Sequence, residues 1–289
     1  MCIKHMTLIT SPTNPRISRL KDLHTTRGRK KSGLFLLEGP NLLEALFDAH
    51  ILPHEVYYQP AYLQRTAKGK ALLERLLLEL VDEQRIEVSE RVIEALSDTV
   101  TSQGVVSVLP LAAFQEEQTR VRRTQYLSTK HTVKRPALLI LDDIADPGNM
   151  GTILRTALAT DVDTVVLTPN CVDCYSPKVV RAAAGTHLLL PIVNNASWKT
   201  IEERIHVHCQ GQTRVLLAEA GSSTLYFEQD LTHPFALIIG NEAHGPSSEA
   251  HALATTSITI PLANGVESLN AAMATGIILY ESVRQQQIR

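Results

Sequence analysis

Aromatic residues are scarce in this 289-residue chain, at 4% of the total, and no long apolar run is free of charge. With mean hydropathy near zero, a membrane-spanning helix is not expected, because one needs about 20 consecutive apolar residues. Cysteine is also sparse: there are four, and Cys2 and Cys209 have no obvious partner. That excludes a disulfide framework as the expectation and points to a reducing compartment, the cytoplasm by default. The first ten residues are too mixed, and too short in apolar length, for a secretory signal. Internal repeats, low-complexity tracts and a P-loop are missing as well. What remains is 44% hydrophobic, enough to bury a core in a chain whose length suggests about two domains.

The net charge of −2 hides an asymmetry. Residues 1–31 carry Lys4, Arg16, Arg19, Lys21, Arg27, Arg29, Lys30 and Lys31 against Asp22 alone, so this arm holds +7 and the remainder −9. Its densest run, Arg27-Gly-Arg-Lys-Lys31, reads either as a solvated loop or as a contact for a polyanion, and its density beside a folded segment favours the second. Arg27, Arg29, Lys30 and Lys31 are the candidate contacts.

Beyond the arm, Leu34-Phe-Leu-Leu37 reads as a buried strand and Leu42 to Ala49 as a helix. Strand-like Glu55–Tyr58, Arg85–Val88 and Gly104–Val108 alternate with helical 63–81 and 90–97, which makes a small α/β domain over residues 1–110. A polar stretch at 111–136, including Arg120, Arg122 and Arg123, reads as a linker. The second domain, 137–289, opens with the strand Ala137–Leu141 and the turn Asp146-Pro-Gly-Asn149, where Asn149 is the expected cap of a helix from Met150. Further strands are expected at Asp163–Thr168, Leu188–Val193 and Arg214–Ala218. Together they predict a mostly parallel sheet with helices on both faces. Cys171 and Cys174 have C-x-x-C spacing but no second pair, so a metal is not expected. Asp142 and Asp143 read as strand-end and turn residues.

From Pro234 onward the chain is dense in signals. Phe235-Ala-Leu-Ile-Ile-Gly240 is a buried strand by its unbroken apolar run. It runs into Asn241-Glu242-Ala243-His244-Gly245, then a strand at Ser257–Leu262 and the loop Ala263–Ser268, with Ser268 the expected cap of a final helix. On that helix Leu269, Ala272, Met273, Gly276, Ile277 and Tyr280 share one face. Either this is a piece of core with ordinary turns, or two strand ends set Gly240–Gly245 beside Ile260–Asn270 as a ligand crevice.

Three separated motifs narrow the choice: Asp146-Pro-Gly-Asn149-Met-Gly151-Thr-Ile-Leu-Arg155-Thr-Ala157, Ile239-Gly240-Asn-Glu242-Ala-His-Gly245, and Ile260-Pro261-Leu-Ala-Asn-Gly265-Val-Glu267-Ser268-Leu269-Asn270. In order and spacing they resemble the three motifs of the SpoU (TrmH) family of RNA ribose 2′-O-methyltransferases, over residues 137–286. The first domain, with Phe35-Leu-Leu-Glu-Gly39, is similar to that family's substrate-binding domain. Two departures are a long linker and Arg181-Ala-Ala-Ala-Gly185, which lacks the serine often found after that arginine.

The resemblance implies an α/β catalytic domain with a deep trefoil knot, a homodimer, and S-adenosylmethionine held bent in the knot. Gly240, Ile260, Leu262, Gly265 and Leu269 would contact the cofactor. A β-branched residue at Gly240 is then expected to block binding and leave the fold intact. Asn149, Arg155, Glu242, Ser268 and Asn270 would form the catalytic set, and Arg181 would join the RNA contacts. RNA is the implied partner, ribosomal RNA ahead of transfer RNA. Two other classes are a magnesium-dependent phosphotransferase built on Asp142 and Asp143, and an RNA-binding protein that keeps the fold without the chemistry.

Overall fold

The computed structural model describes residues 8–99, 101–112 and 137–287, with only the backbone at His187. The stretch from Gln115 to Pro136, with Arg120, Arg122 and Arg123, lies outside them, as does Cys2. Two compact units are present, and residues Tyr175–Arg181 count with the first.

Within the described residues the basic stretch of the first unit is not a loose arm. Asn14 caps helix α1 (Pro15–Asp22), and Thr25 caps helix α2 (Thr26–Ser32), which Gly33 ends in the left-handed region at φ 66°. Ile17, Leu20 and Leu23 belong to the same buried cluster as Leu36, Tyr57, Ile86 and Val106. The basic run is therefore helical, and its helices pack on the domain core. The four-stranded sheet has the order β1 (Leu34–Glu38), β4 (Val105–Pro110), β2 (Glu55–Tyr58), β3 (Arg85–Glu87), with antiparallel pairs at β1–β4 and β4–β2 and a parallel pair at β2–β3. Helix α3 (Pro40–Asp48) follows β1. The single helix expected at 63–81 is two, α4 (Pro60–Leu63) and α5 (Ala67–Glu79), because Thr66 accepts from the Gly69 N–H and starts a new helix. Helix α6 (Glu90–Leu96) precedes β4.

The second unit is a seven-stranded sheet in which all pairs are parallel. Its order is β7 (Ile192–Val193), β6 (Thr164–Leu167), β5 (Ala137–Leu141), β10 (Phe235–Ile239), β8 (Val215–Ala218), β11 (Thr256–Thr259), β9 (Thr224–Leu225). Every residue of β5 and β10 is buried. This is the burial that strands covered on both faces require, and their apolar runs supply it. On one face Leu138, Ile140, Ala236 and Ile238 cluster with Ile201 and Ile205 of helix α9 (Trp198–His208) and Ala250 of helix α10 (Ser248–Leu253). Helix α7 (Pro147–Ala159) follows β5, helix α8 (Pro177–Ala183) follows β6, and helix α11 (Ala271–Gln287) packs along α7.

Two local expectations change. The strand expected over Leu188–Val193 is a 3-10 turn at Thr186–Leu188 and a two-residue strand, since Pro191 removes a backbone donor just where a longer ladder would need one. The stripe expected on α11 is its packing face only in part. Ala271, Ala272, Thr275, Ile278, Leu279, Glu281 and Ser282 are buried, while Met273 is 59% and Tyr280 54% exposed.

Candidate active site

The site lies in the second unit, at the carboxyl ends of β5, β10, β8 and β11. Ligands in open α/β sheets bind at this edge because helix starts and free backbone groups face it. Asp146, not Asn149, caps α7: its Oδ1 accepts from the Asn149 N–H at 2.7 Å, and Pro147 takes the first helical position, where no N–H is needed. Asn149 thus sits in the first turn with its side chain available. Likewise Asn270, not Ser268, caps α11, with Oδ1 accepting from the Ala272 and Met273 amides at 3.0 and 3.2 Å.

These two caps fix a hydrogen-bonded run. Because the Asn270 oxygen is committed to the helix, its Nδ2 donates to Asn149 Oδ1 at 2.8 Å. Asn149 then has only its own Nδ2 to offer, and this donates to Glu242 Oε1 at 2.5 Å. The direction of both amides follows from the cap, since an amide oxygen cannot donate.

The loop after β10 is anchored to the loop after β5. The Asp142 N–H donates to Ile239 O at 2.9 Å, Asp142 Oδ2 accepts from the Ser247 N–H at 2.7 Å, and Asn241 Nδ2 donates to Asp143 O at 2.7 Å. Asn241 Oδ1 also accepts from the Ala243 and His244 amides, closing a tight turn. A Cβ at Gly240 would lie 2.5 Å from Pro246 N and 2.7 Å from its Cα, so only glycine lets the two backbone stretches approach this closely.

Between these loops and α11 is a cavity of about 310 Å³. Ile239, Ile258, Ile260, Leu262, Leu269 and Ile278 give it apolar walls, with Glu219, Glu242, Thr259 and Ser268 as polar points. Volume and lining suit a small organic ligand, whose sites run from about 300 Å³ upward and combine apolar surface with a few polar groups. No group of three or more potential metal ligands occurs among the described residues. Cys171 is a donor to Leu141 O at 3.2 Å and Cys174 to Asn194 Oδ1 at 3.1 Å. Burial pushes both thiols up, which keeps them protonated.

Residues 136–280 match the SpoU rRNA Methylase family, and residues 14–107 match the MRM3-like substrate binding domain. The chain belongs to the SpoU rRNA methylase family. An uncharacterized tRNA/rRNA methyltransferase of Synechocystis sp. is 38% identical, covering 96% of this chain and 94% of its own length. The 23S rRNA (guanosine(2553)-2′-O)-methyltransferase RlmP of Bacillus subtilis is 28% identical over 95% of this chain and 98% of its own. Among solved structures, the SpoU methyltransferase AviRb from Streptomyces viridochromogenes in complex with the cofactor AdoMet aligns with a TM-score of 0.79 at 26% identity, covering 95% of this chain and 98% of that one.

In this SpoU-family chain, the structure places the sequence candidates differently. Asn149, Glu242 and Asn270 are joined directly, and Gly240, Glu242, Ile260, Leu262, Ser268 and Leu269 line the cavity. Arg155 is exposed on α7, outside the cavity wall. Gly265 is outside it too, in an exposed turn with φ 74°, where glycine answers to turn geometry. Of the basic candidates, Arg27, Lys30 and Lys31 are exposed. Arg29 is a correction: it is 2% exposed, and it donates to Leu23 O at 2.6 Å and Thr26 Oγ1 at 3.1 Å, so its charge ties α2 to the preceding turn. Arg181 pairs with Asp98. The sequence reading missed Glu219, which follows β8 with no motif around it, and Asn241, whose turn role was hidden between Gly240 and Glu242.

Proposed function

We propose that this protein transfers a methyl group from S-adenosylmethionine to a ribose 2′-hydroxyl in ribosomal RNA. The observation that carries the reading is the fixed run from Asn270 through Asn149 to Glu242 at the wall of a nucleoside-sized cavity. When bound, S-adenosylmethionine supplies an electrophilic methyl group on a sulfonium. Ile260, Leu262 and Leu269 hold its apolar surface. Asn149 keeps one Glu242 oxygen occupied, which leaves the other to accept the hydrogen bond of the incoming hydroxyl, orient it for in-line attack and take up its proton as the methyl is transferred, with S-adenosylhomocysteine as the leaving group. Arg155 binds a phosphate beside the target nucleotide. Ser268 holds the loop against the ribose.

In this reading residues 1–110 bind the RNA, 111–136 link, and 137–289 carry the chemistry. The protein acts in the cytoplasm as a homodimer, with the C-terminal segment drawn through a trefoil knot. The exposed Met273 and Tyr280 on α11 support pairing with a second copy, and sedimentation that finds only monomer at micromolar concentration would remove the dimer. Asp142 is turned to the Ser247 N–H, an arrangement that serves the loop and not a magnesium-dependent phosphotransfer.

Calorimetry with S-adenosylmethionine and no added metal tests the cofactor, and mapping of 2′-O-methyl sites in RNA from cells with and without the protein tests the substrate. Methylation lost from transfer RNA alone would overturn the ribosomal assignment. RNA binding without any affinity for S-adenosylmethionine would make the protein a non-catalytic binder. Arg155→Ala should abolish transfer and leave cofactor affinity within about tenfold, roughly 1.4 kcal/mol. Full turnover in that variant would take Arg155 out of the site.

A further inference from the structure

Among the polar side chains of the cavity, Glu219 has acceptor capacity that no described protein group uses and that the proposed chemistry does not draw on. Asn241 is committed at both ends, its Nδ2 to Asp143 O and its Oδ1 to two backbone amides. Thr259 Oγ1 donates to Ile260 O at 3.4 Å, and Glu242 is held by Asn149. Glu219 differs. Its backbone is fixed as an extension of the sheet, with its N–H donating to Ile258 O at 3.0 Å. Its carboxylate meets, among the described residues, only His251 Nε2, 3.5 Å from Oε1. Oε2 faces no described donor. The side chain is 35% exposed in a wall that is otherwise mostly apolar.

We propose that Glu219 recognises the ribose cis-diol of S-adenosylmethionine, with His251 holding the carboxylate in place. The proposal rests on the cofactor reading above. A carboxylate is the natural acceptor for two adjacent hydroxyl donors, and each bond to a charged acceptor is stronger than its neutral counterpart. Position along the sheet selects the ribose over the amino group of the methionyl part. The reacting sulfonium end belongs beside Asn149 and Glu242, which follow β5 and its neighbour β10. Glu219 follows β8, on the side of β10 away from β5 and about one strand spacing, roughly 4.8 Å, further along. The nucleoside half of the ligand therefore meets Glu219. A diol reader at this point would also discriminate against adenine compounds that lack ribose hydroxyls.

Calorimetry on the full-length protein tests this with two probes, S-adenosylhomocysteine and its 2′,3′-dideoxyribosyl analogue. Wild type should bind the first with at least tenfold preference. Glu219→Gln, which keeps shape and loses charge, and Glu219→Ala should weaken S-adenosylhomocysteine by about 10- to 100-fold, the loss expected for hydrogen bonds to a charged group. Both variants should bind the dideoxy analogue within twofold of wild type, which a merely structural role would not produce. His251→Ala should give a smaller loss in the same pattern. Equal weakening of both probes would overturn the proposal in favour of the amino group or of structural damage, and unchanged affinity of the Glu219 variants for S-adenosylhomocysteine would overturn it outright. If wild type bound neither probe, the cofactor reading itself would fail, and the two failures are thereby distinct.

Discussion

At Asn149 the side-chain amide points its donor at Glu242 because Asn270, with its oxygen on the start of α11, can offer Asn149 only a donor. A single-atom change should therefore be felt in the chemistry. Asn149→Asp replaces the donor with a second carboxylate facing Glu242, so a hydrogen bond becomes a repulsion. Methyl transfer in single-turnover assays should fall at least about 100-fold, and affinity for S-adenosylhomocysteine should stay within about threefold. Wild-type turnover in Asn149→Asp would show that the run is structural only. Gly240 makes the opposite point. From the sequence, a β-branched residue there reads as a probe of ligand binding alone. In the structure any Cβ meets the Pro246 backbone, which cannot swing aside like a flexible side chain. Gly240→Val should therefore lower Tm and abolish cofactor binding together, and a variant with wild-type Tm that fails to bind would restore the simpler view.

At the level of elements, the strands were legible where burial is total. β5 and β10 are five apolar residues each, and such a run admits few other readings. Helix starts were harder, because Asp146 and Asn149, or Ser268 and Asn270, are all competent caps. The choice falls to the residue whose position leaves its neighbour useful: capping by Asp146 and Asn270 frees Asn149 and Ser268 for the site. The face of α11 was legible only in part: Ala272 is buried and Gly276 and Ile277 half-buried, but Met273 and Tyr280 are exposed. Its interior includes Thr275, Glu281 and Ser282, which a hydrophobic pattern places outside. They are tolerated because each has a partner: Thr275 Oγ1 donates to Ala271 O, Ser282 Oγ to Leu231 O, and Glu281 receives Arg284 and Gln285. The Arg284 contact, chiefly, holds the Glu281 carboxyl below its ordinary value. Helix packing is close elsewhere too, since a Cβ on Gly151 of α7 would lie 2.3 Å from the Ala182 Cβ.

Over the whole molecule, the charge asymmetry was readable but its residues were not equivalent. Arg27, Lys30 and Lys31 project from α2 while Arg29 turns inward, a consequence of helical spacing that a loop would not impose. Changing the three exposed residues to Ala should weaken RNA binding and reduce the log-log salt slope by as much as roughly 2, at about 0.7 per phosphate contact on single strands. Cofactor affinity should not move. Arg29→Ala should instead lower the Tm, by removing the guanidinium that donates to the buried Leu23 carbonyl. Equal salt slopes for wild type and the triple variant would assign the RNA grip elsewhere. The cavity has a last implication, for the timing of synthesis. Its wall draws on Ala218, Gly240 and Ile260 but also on Ala271, Ala274 and Ile278. A growing chain that has already laid down β10 still has no enclosed binding site. The methyl donor can be gripped only after residue 278 has left the ribosome, so an incomplete product of this message should hold no cofactor.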